Sequence, residues 1–466
     1  MWAVHLKDWR DHVKPTLRLA LPVTLARLGA LVLVTVDAAM SGHAGGNELA
    51  YYGLASSPYV PLLLVGIGLL LGVVILTAHA EGSGKPERCG AVWRVGLIHA
   101  AVYGVVLGGA CYWGEEFLMA TGQSADLAAG AGRTLNVLGW GLPGMLLYIA
   151  TIFFLEGIHR PVPGMIAMII GNLLNAALNW IFIYGHWGSP AMGAEGAALA
   201  TTIVRWLLFA LVLAYVLFQL DRRHYGITLS PDGLLSIGSR LRRVGYPMAL
   251  GHGLESAAFS TIVLFAGLLG ATQVAAYTIV QNLVALIFMV ALGFGTAASV
   301  RVANAVARNN VEEMRVAGWV AAGLAFAFLA TFSLAFASFP RLLAEIFSAD
   351  PTVVAFAVPP IMIAALALVP DGLQAVLVGA LRGMSDVWPA TGILLVSFWL
   401  VMVPVGYVTG VLFEGGAPML ILSVVIATVF AAALLGLRFK HRCDIAREAT
   451  ASVWRPVPSV SDRARS

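Results

Sequence analysis

Charge is what this chain has least of. Only 11% of its 466 residues are Asp, Glu, Lys or Arg, while 59% are apolar and the mean hydropathy is +0.86. Soluble domains carry about 25% charged residues and about 45–50% apolar ones, so this shortage excludes a cytosolic enzyme, a nucleic-acid binder and a secreted scaffold. Cysteine is scarce too. Three are present, Cys89 and Cys443 on one side of the expected topology and Cys111 near the other, so no internal disulfide is implied. The ten His contain no HxxxH or HExxH pair, and no glycine-rich phosphate loop runs into Lys-Ser/Thr. Those absences speak against a membrane-embedded transferase, and the expectation is that the protein is not an enzyme.

What is present is long hydrophobicity. Apolar stretches at 18–40, 51–77, 91–113, 134–156, 164–185, 195–219, 246–268, 274–299, 316–338, 352–380, 387–411 and 416–437 each reach the ~20 residues a helix needs to cross hydrocarbon. Barrel strands would alternate instead, and nothing else satisfies its backbone in lipid. The sequence therefore predicts an all-α integral membrane protein of twelve transmembrane helices. The basic N-terminal segment leads into an apolar run too long for a signal-peptide core, so it reads as a retained first helix.

Lys and Arg set the orientation. Of the 28 in the chain, placing both termini in the cytoplasm leaves only Arg133 and Arg341 outside and Arg27 and Arg205 within spans. This follows the positive-inside rule. The net charge of +4 sits in loops facing an anionic leaflet and needs no nucleic-acid partner.

The chain also repeats itself. At an offset of 225, Pro22 falls on Pro247, Gly42 on Gly267, Gly45 on Gly270, Ala50 on Ala275, Tyr52 on Tyr277 and Gly68 on Gly293. Arg160 and Arg382 recur at an offset of 222. Six helices per half is an even number, so the halves run in the same direction and are related by a pseudo-twofold axis along the membrane normal. The expected division is an N-terminal bundle over 1–220, a cytoplasmic linker over 221–245 with Pro231, a C-terminal bundle over 246–437 and a basic tail over 438–466. This is a plan for two bundles that rock about a central cleft.

Polar groups inside spans point to function. Asp37 near the outer end of helix 1, Asn175 and Asn179 one turn apart on helix 5, and Thr201 with Thr202 on helix 6 come out at similar depth and would line one pocket. Glu255 on helix 7 and Asp371 on helix 10 both lie ~14 Å from the cytoplasmic edge at ~1.5 Å per residue. Two such acids call for a cation between them or a proton on one, so Na⁺ or H⁺ is the expected visitor. The plainer alternative is that each carboxylate is hydrogen-bonded within its own bundle. Pro359, Pro360 and Pro370 mark helix 10 as kinked or locally unwound, with freed carbonyls available to an ion. Arg205, one turn beyond Thr201, is a possible modulator: paired with Asp37 it would repel a cationic ligand. Arg27 is ~15 Å from Asp37 along helix 1 and would snorkel inward.

Taken in order, several of these pieces resemble the multidrug and toxic compound extrusion family, most nearly its bacterial NorM-type branch. They are Val36-Asp37 with Gly42 and Gly45, Glu156-Gly157 with Arg160-Pro161, and Asn175 to Asn179-Trp180 with Ile181-Phe182. Further on come Gly193 to Gly196 before Ala200-Thr201, Glu255 after Pro247, and Asp371 to Gln374 leading to Leu381-Arg382-Gly383. The likeness spans about residues 16 to 437. It implies twelve helices in two V-shaped bundles and export of amphipathic, mostly cationic drugs coupled to Na⁺ or H⁺, with no other cofactor. It also implies a polar substrate and cation site at Asp37, Asn175, Asn179 and Thr201, and a cation site at Glu255 and Asp371. Ala367 stands where that branch tends to carry a Tyr, which removes one phenol oxygen from cation coordination.

Two further classes share the twelve-helix plan. A lipid-linked precursor flippase of the same superfamily should line its cavity with several Arg or Lys, and only Arg27 and Arg205 lie within spans. A major-facilitator carrier should show an Asp-Arg-x-Gly-Arg type of loop after helix 2, which Glu81 to Gly90 lacks. The expected place of work is the inner (plasma) membrane, and the expected partners are organic cations, the coupling cation and lipid.

Overall fold

The computed structural model describes residues 6–44, 46–121, 123, 125–228, 233–269, 271–347 and 351–453. Gly45, Gly270, Pro231 and the tail beyond 453 lie outside the described residues. Every regular element among the described residues is helical. Among the described residues, twelve helices are long and apolar enough to cross a membrane: α1 (His12–Ala44), α2 (Ala50–Gly82), α3 (Pro86–Ala120), α4 (Ala125–Gly157), α5 (Val162–Tyr184), α6 (Gly193–Phe218), α7 (Leu234–Ala266), α8 (Ala276–Ala307), α9 (Val311–Ser338), α10 (Pro351–Gly383), α11 (Val387–Leu412) and α12 (Gly416–Glu448).

Most of these run past the apolar stretches that define them. A helix of 33 residues measures about 50 Å at 1.5 Å per residue, against about 30 Å of hydrocarbon. The surplus carries basic residues into the headgroup region. Thus α7 already contains Arg240, Arg242 and Arg243, which the sequence assigned to a linker, and α12 runs through Arg438 without a break. Arg438 and Arg442 turn back onto Asp386 in the α10–α11 loop, Arg438 through two hydrogen bonds of 2.8 and 3.0 Å.

Local breaks fall in unexpected places. α10 stays helical through Pro359, Pro360 and Pro370, so no unwound segment frees its carbonyls. A neighbouring helix adds a donor nearby: Ser333 on α9 gives a 2.5 Å bond to the Ala365 carbonyl, one residue before the Leu366 carbonyl that Pro370 leaves without its helical N–H. Irregularity appears instead in α2, which turns at Leu71, and in α11. There, wide π-helical turns at Val396–Met402 and Tyr407–Leu412 flank Pro404, easing its ring and its missing N–H into the helix.

The duplication is visible as contacts made twice. Gly68 on α2 lies against the Ala249 backbone of α7, where a Cβ would collide with main chain. Its repeat partner Gly293 on α8 lies against Thr24 and the Ala20 carbonyl of α1. Thr24 and Ala249 are themselves 225 residues apart, so the α2–α7 and α8–α1 crossings are one contact seen from both halves. Glu48 and Gln273 repeat a second device: each side chain accepts from the backbone N–H near the start of the sixth helix of its half, at Ala194 (2.6 Å) and Ala417 (2.8 Å).

Packing follows the membrane's inverted rule. The outer face of α3 presents Ile98, Val102, Val105 and Val106, spaced for one helical stripe, while the polar groups turn inward. Hydrogen bonds between the halves gather at the end where α1 begins. Arg301 on α8 donates to the His12 carbonyl and to Thr16 of α1, Asn304 meets His159 at 3.1 Å, and the His79 ring on α2 meets the Gly383 carbonyl at 2.9 Å.

Candidate functional site

The N-terminal half holds a sealed polar knot. Asp37, Asn175, Asn179 and Thr201 are all fully buried, and they converge. Asn179 donates from Nδ2 to Asp37 Oδ1 at 2.7 Å, and Thr201 donates to Asp37 Oδ2. Asn175 links the two neighbours, accepting from Asn179 at 3.2 Å and donating to Thr201 at 3.3 Å. The one-turn spacing of the two asparagines on α5 aims both at the carboxylate. Thr202, read with them, turns elsewhere and donates to the Val137 carbonyl on α4.

A fifth residue completes the knot. Tyr52 on α2 donates to Asp37 Oδ2 at 3.0 Å. The sequence showed Tyr52 only as half of a repeat pair, with nothing to mark it as a ligand. In the other half Tyr277 is buried and its hydroxyl has no partner among the described residues; the position matching Asp37 at the same offset is Ile262. The repeat kept the phenol on both sides and the acid on only one.

Arg205 does not pair with Asp37. Its guanidinium donates to the Tyr59 hydroxyl and its Cζ sits 4.7 Å from that ring's centroid. Tyr59 faces the shared side of α2 from two turns beyond Tyr52, and it is the partner the arginine takes. The two groups share a neighbourhood without sharing a bond.

The second pair of acids is divided between a cavity wall and the core. A cavity of about 410 Å³ lies between the halves, bounded by α1, α2 and α4 on one side and α7, α8 and α10 on the other. Glu255 is on its wall, 3.9 Å from the His252 ring. Asp371 is buried and lies outside the lining. No hydrogen bond or ion pair joins the two acids among the described residues. The sequence placed them at one depth; depth alone did not say which faces the cavity.

The same cavity collects residues that were read as motif or as bystander. Arg27 reaches in from α1, its Nη2 donating to Thr296 at 3.3 Å. Glu156, Gln374 and Arg382 also line it. Glu156 Oε2, Gln374 Oε1, Arg27 Nε and Arg382 Nε are buried without a hydrogen-bond partner among the described residues. The apolar remainder includes Phe153, Phe259 and Phe288.

A duplicated pair of six-helix halves around a central, mixed polar and apolar cavity defines a polytopic membrane carrier. The MatE family model matches this chain twice, at residues 22–181 and 247–408, two stretches that begin 225 residues apart. The chain is 34% identical over 425 residues to a probable multidrug resistance protein NorM of Caulobacter vibrioides, covering 91% of this chain and 90% of that protein. It is 30% identical over 443 residues to multidrug resistance protein NorM of Vibrio parahaemolyticus, covering 93% and 97%. The fold superposes on the crystal structure of a eukaryotic MATE transporter with a TM-score of 0.86 at 21% identity, covering 95% of this chain and 99% of that one. The chain belongs to the multidrug and toxic compound extrusion family, as its ordered motifs implied.

Proposed function

We propose that the protein is a cation-coupled exporter of amphipathic drugs, working by alternating access in the inner membrane with both termini in the cytoplasm. The cavity between the halves carries this reading, because it joins a drug-sized apolar space to an acid, Glu255, on its wall. The names of the bacterial relatives favour drug export over the lipid-linked flippase. On this orientation the halves are tied at the cytoplasmic end, and the conformation is the outward-facing one.

Coupling needs a group whose occupancy changes shape, and Asp37 supplies the chemistry. Ionised, its two oxygens accept from Tyr52, Thr201 and Asn179. A proton or Na⁺ arriving there takes lone pairs from those donors, which must then turn or separate, so the packing of α1 against α2, α5 and α6 depends on the bound cation. Glu255 and Asp371 serve a second cation in the other half. A drug and a cation that favour opposite conformations exchange across the membrane; equal affinity for both would move nothing.

The test is ethidium efflux from proteoliposomes under an imposed Na⁺ gradient with the proton gradient collapsed, and then the reverse. Efflux under one gradient and not the other names the coupling ion. Movement of a lipid-linked sugar with no organic cation transported under either gradient would overturn the proposal.

A further inference from the structure

A second hollow, of about 900 Å³, opens at the end of the molecule where α1 begins, among α1, α5, α6 and the segments that follow α4 and α6. It shares no residue with the cavity between the halves. Arg18 on α1 and Arg160 after α4 both line it, and both are exposed. No Asp or Glu is among the lining residues. Arg18 makes no hydrogen bond or ion pair among the described residues. Arg160 meets phenols: Nη1 gives a 3.5 Å bond to the Tyr215 hydroxyl, and Tyr225 stands beside it. Glu81 is near enough to feel Arg160, yet it lies outside the lining and forms no ion pair with it among the described residues. His159 on the same wall is taken by Asn304 at 3.1 Å.

A guanidinium keeps its charge in any protein setting, and a phenol accepts its hydrogen bond without neutralising it. The recess therefore presents two permanent positive charges that no lining acid balances. Its walls change character along their length. Val162, Ile166 and Ile170 line it, all three exposed and spaced to form one stripe on α5. That stripe runs from the Arg160 loop for ~12 Å along the helix, into the depth of the hydrocarbon. On α6, Tyr215 faces the arginine and Leu211, one turn deeper, continues the apolar wall. A soluble anion would use the charged mouth and leave the stripe bare. An anionic phospholipid uses both, with its phosphate at the mouth and an acyl chain along α5, which is how basic pockets between membrane helices hold acidic headgroups.

We propose that this recess is a binding site for one anionic phospholipid of the adjoining leaflet, with Arg18 and Arg160 holding the phosphodiester and Val162, Ile166 and Ile170 bedding a chain. The site stands apart from the drug and cation pathway, so it does not depend on which ion drives export.

The test is native mass spectrometry of the purified full-length protein in detergent, titrated with phosphatidylglycerol, with phosphatidylcholine, and with glycerophosphoglycerol, which is the acidic headgroup without its chains. One phosphatidylglycerol should be retained at concentrations where phosphatidylcholine is not. Loss of a charge-assisted contact should weaken that retention about tenfold in Arg18→Gln and in Arg160→Gln. Arg160→Lys should recover part of it. Arg222→Gln removes a charge from the same side of the molecule that is exposed but outside the lining, and it should change retention by less than about twofold. Equal retention of the two lipids, or a loss in Arg222→Gln as large as in the other variants, would overturn the site in favour of diffuse surface charge. Glycerophosphoglycerol displacing the lipid at equal concentration would overturn the lipid assignment in favour of a soluble phosphate ester. Retention that appears only once residues 1–11 are deleted would overturn it in favour of the chain's own N-terminal segment.

Discussion

At the scale of single residues, Asp37 is the acid on which most of the buried polarity turns. Asp37→Asn keeps the shape of the knot but gives up the charge that a cation would answer, and drug efflux is expected to vanish while membrane insertion is retained. Wild-type efflux in that variant would remove Asp37 from the coupling mechanism. Tyr52→Phe is the finer probe. It takes away one donor to the carboxylate and nothing else, with an expected cost of about 1–3 kcal/mol in thermal unfolding of the purified protein. An unchanged melting temperature would mean that the phenol is idle. Asp37, Asn175 and Asn179 were legible because ionisable or amide groups in apolar runs stand out, and Thr201 because its depth on the sixth helix matched theirs. Tyr52 and Tyr59 were not, since a tyrosine in a membrane helix looks like any other packing aromatic until its hydroxyl finds an acid or a guanidinium. For Arg205, helical spacing left pairing with Asp37 open and gave no sign that Tyr59 would take the guanidinium instead.

At the scale of helices, the repeated crossing makes a symmetric prediction. Gly293→Val forces a branched side chain onto Thr24 and the Ala20 carbonyl, and Gly68→Val forces one onto the Ala249 backbone. Overpacking of this kind costs about 1–3 kcal/mol, so both variants should melt earlier and by similar amounts. Gly53 has open space around its would-be Cβ, and Gly53→Ala should be neutral or stabilising by about 0.5–1 kcal/mol. A Gly293 variant as stable as the Gly53 one would show that α1 and α8 do not depend on close approach. The twelve helices and their twofold arrangement were legible because hydrophobic length and a fixed offset are properties of the chain itself. The turn at Leu71, the π-helical stretches of α11 and the unbroken course of α10 were not. Each depends on what the adjoining helix offers, such as the Ser333 hydroxyl at Ala365, and periodicity records no neighbours.

At the scale of the whole molecule, the ties between the halves carry a pH dependence whose sign follows from His159. This residue follows α4, outside the membrane-spanning helices, and lines a recess of about 900 Å³ at the end where α1 begins. Its edge meets water, yet surrounding protein thins the hydration of the ring. That partial burial lowers its pKa below the ordinary 6.5, aided by the nearby Arg301 and Arg308 and opposed by its bond to Asn304. When the halves part, the ring regains water and its ordinary value, so the parted state binds more protons. The tied state is then fully favoured above pH about 6.5 and loses that advantage as the pH falls through this value toward the lower one of the closed arrangement. Hydrogen exchange at residues 12–16 and 300–304 should accordingly quicken between pH about 8 and about 5.5, after correction for intrinsic exchange rates. His159→Gln, which keeps a bonding group for Asn304 without a titrating one, should flatten that slope. A slope of the same size in the variant would assign it to His12 or His79 at the same end, and a flat wild-type profile would mean that the ties do not respond to protons.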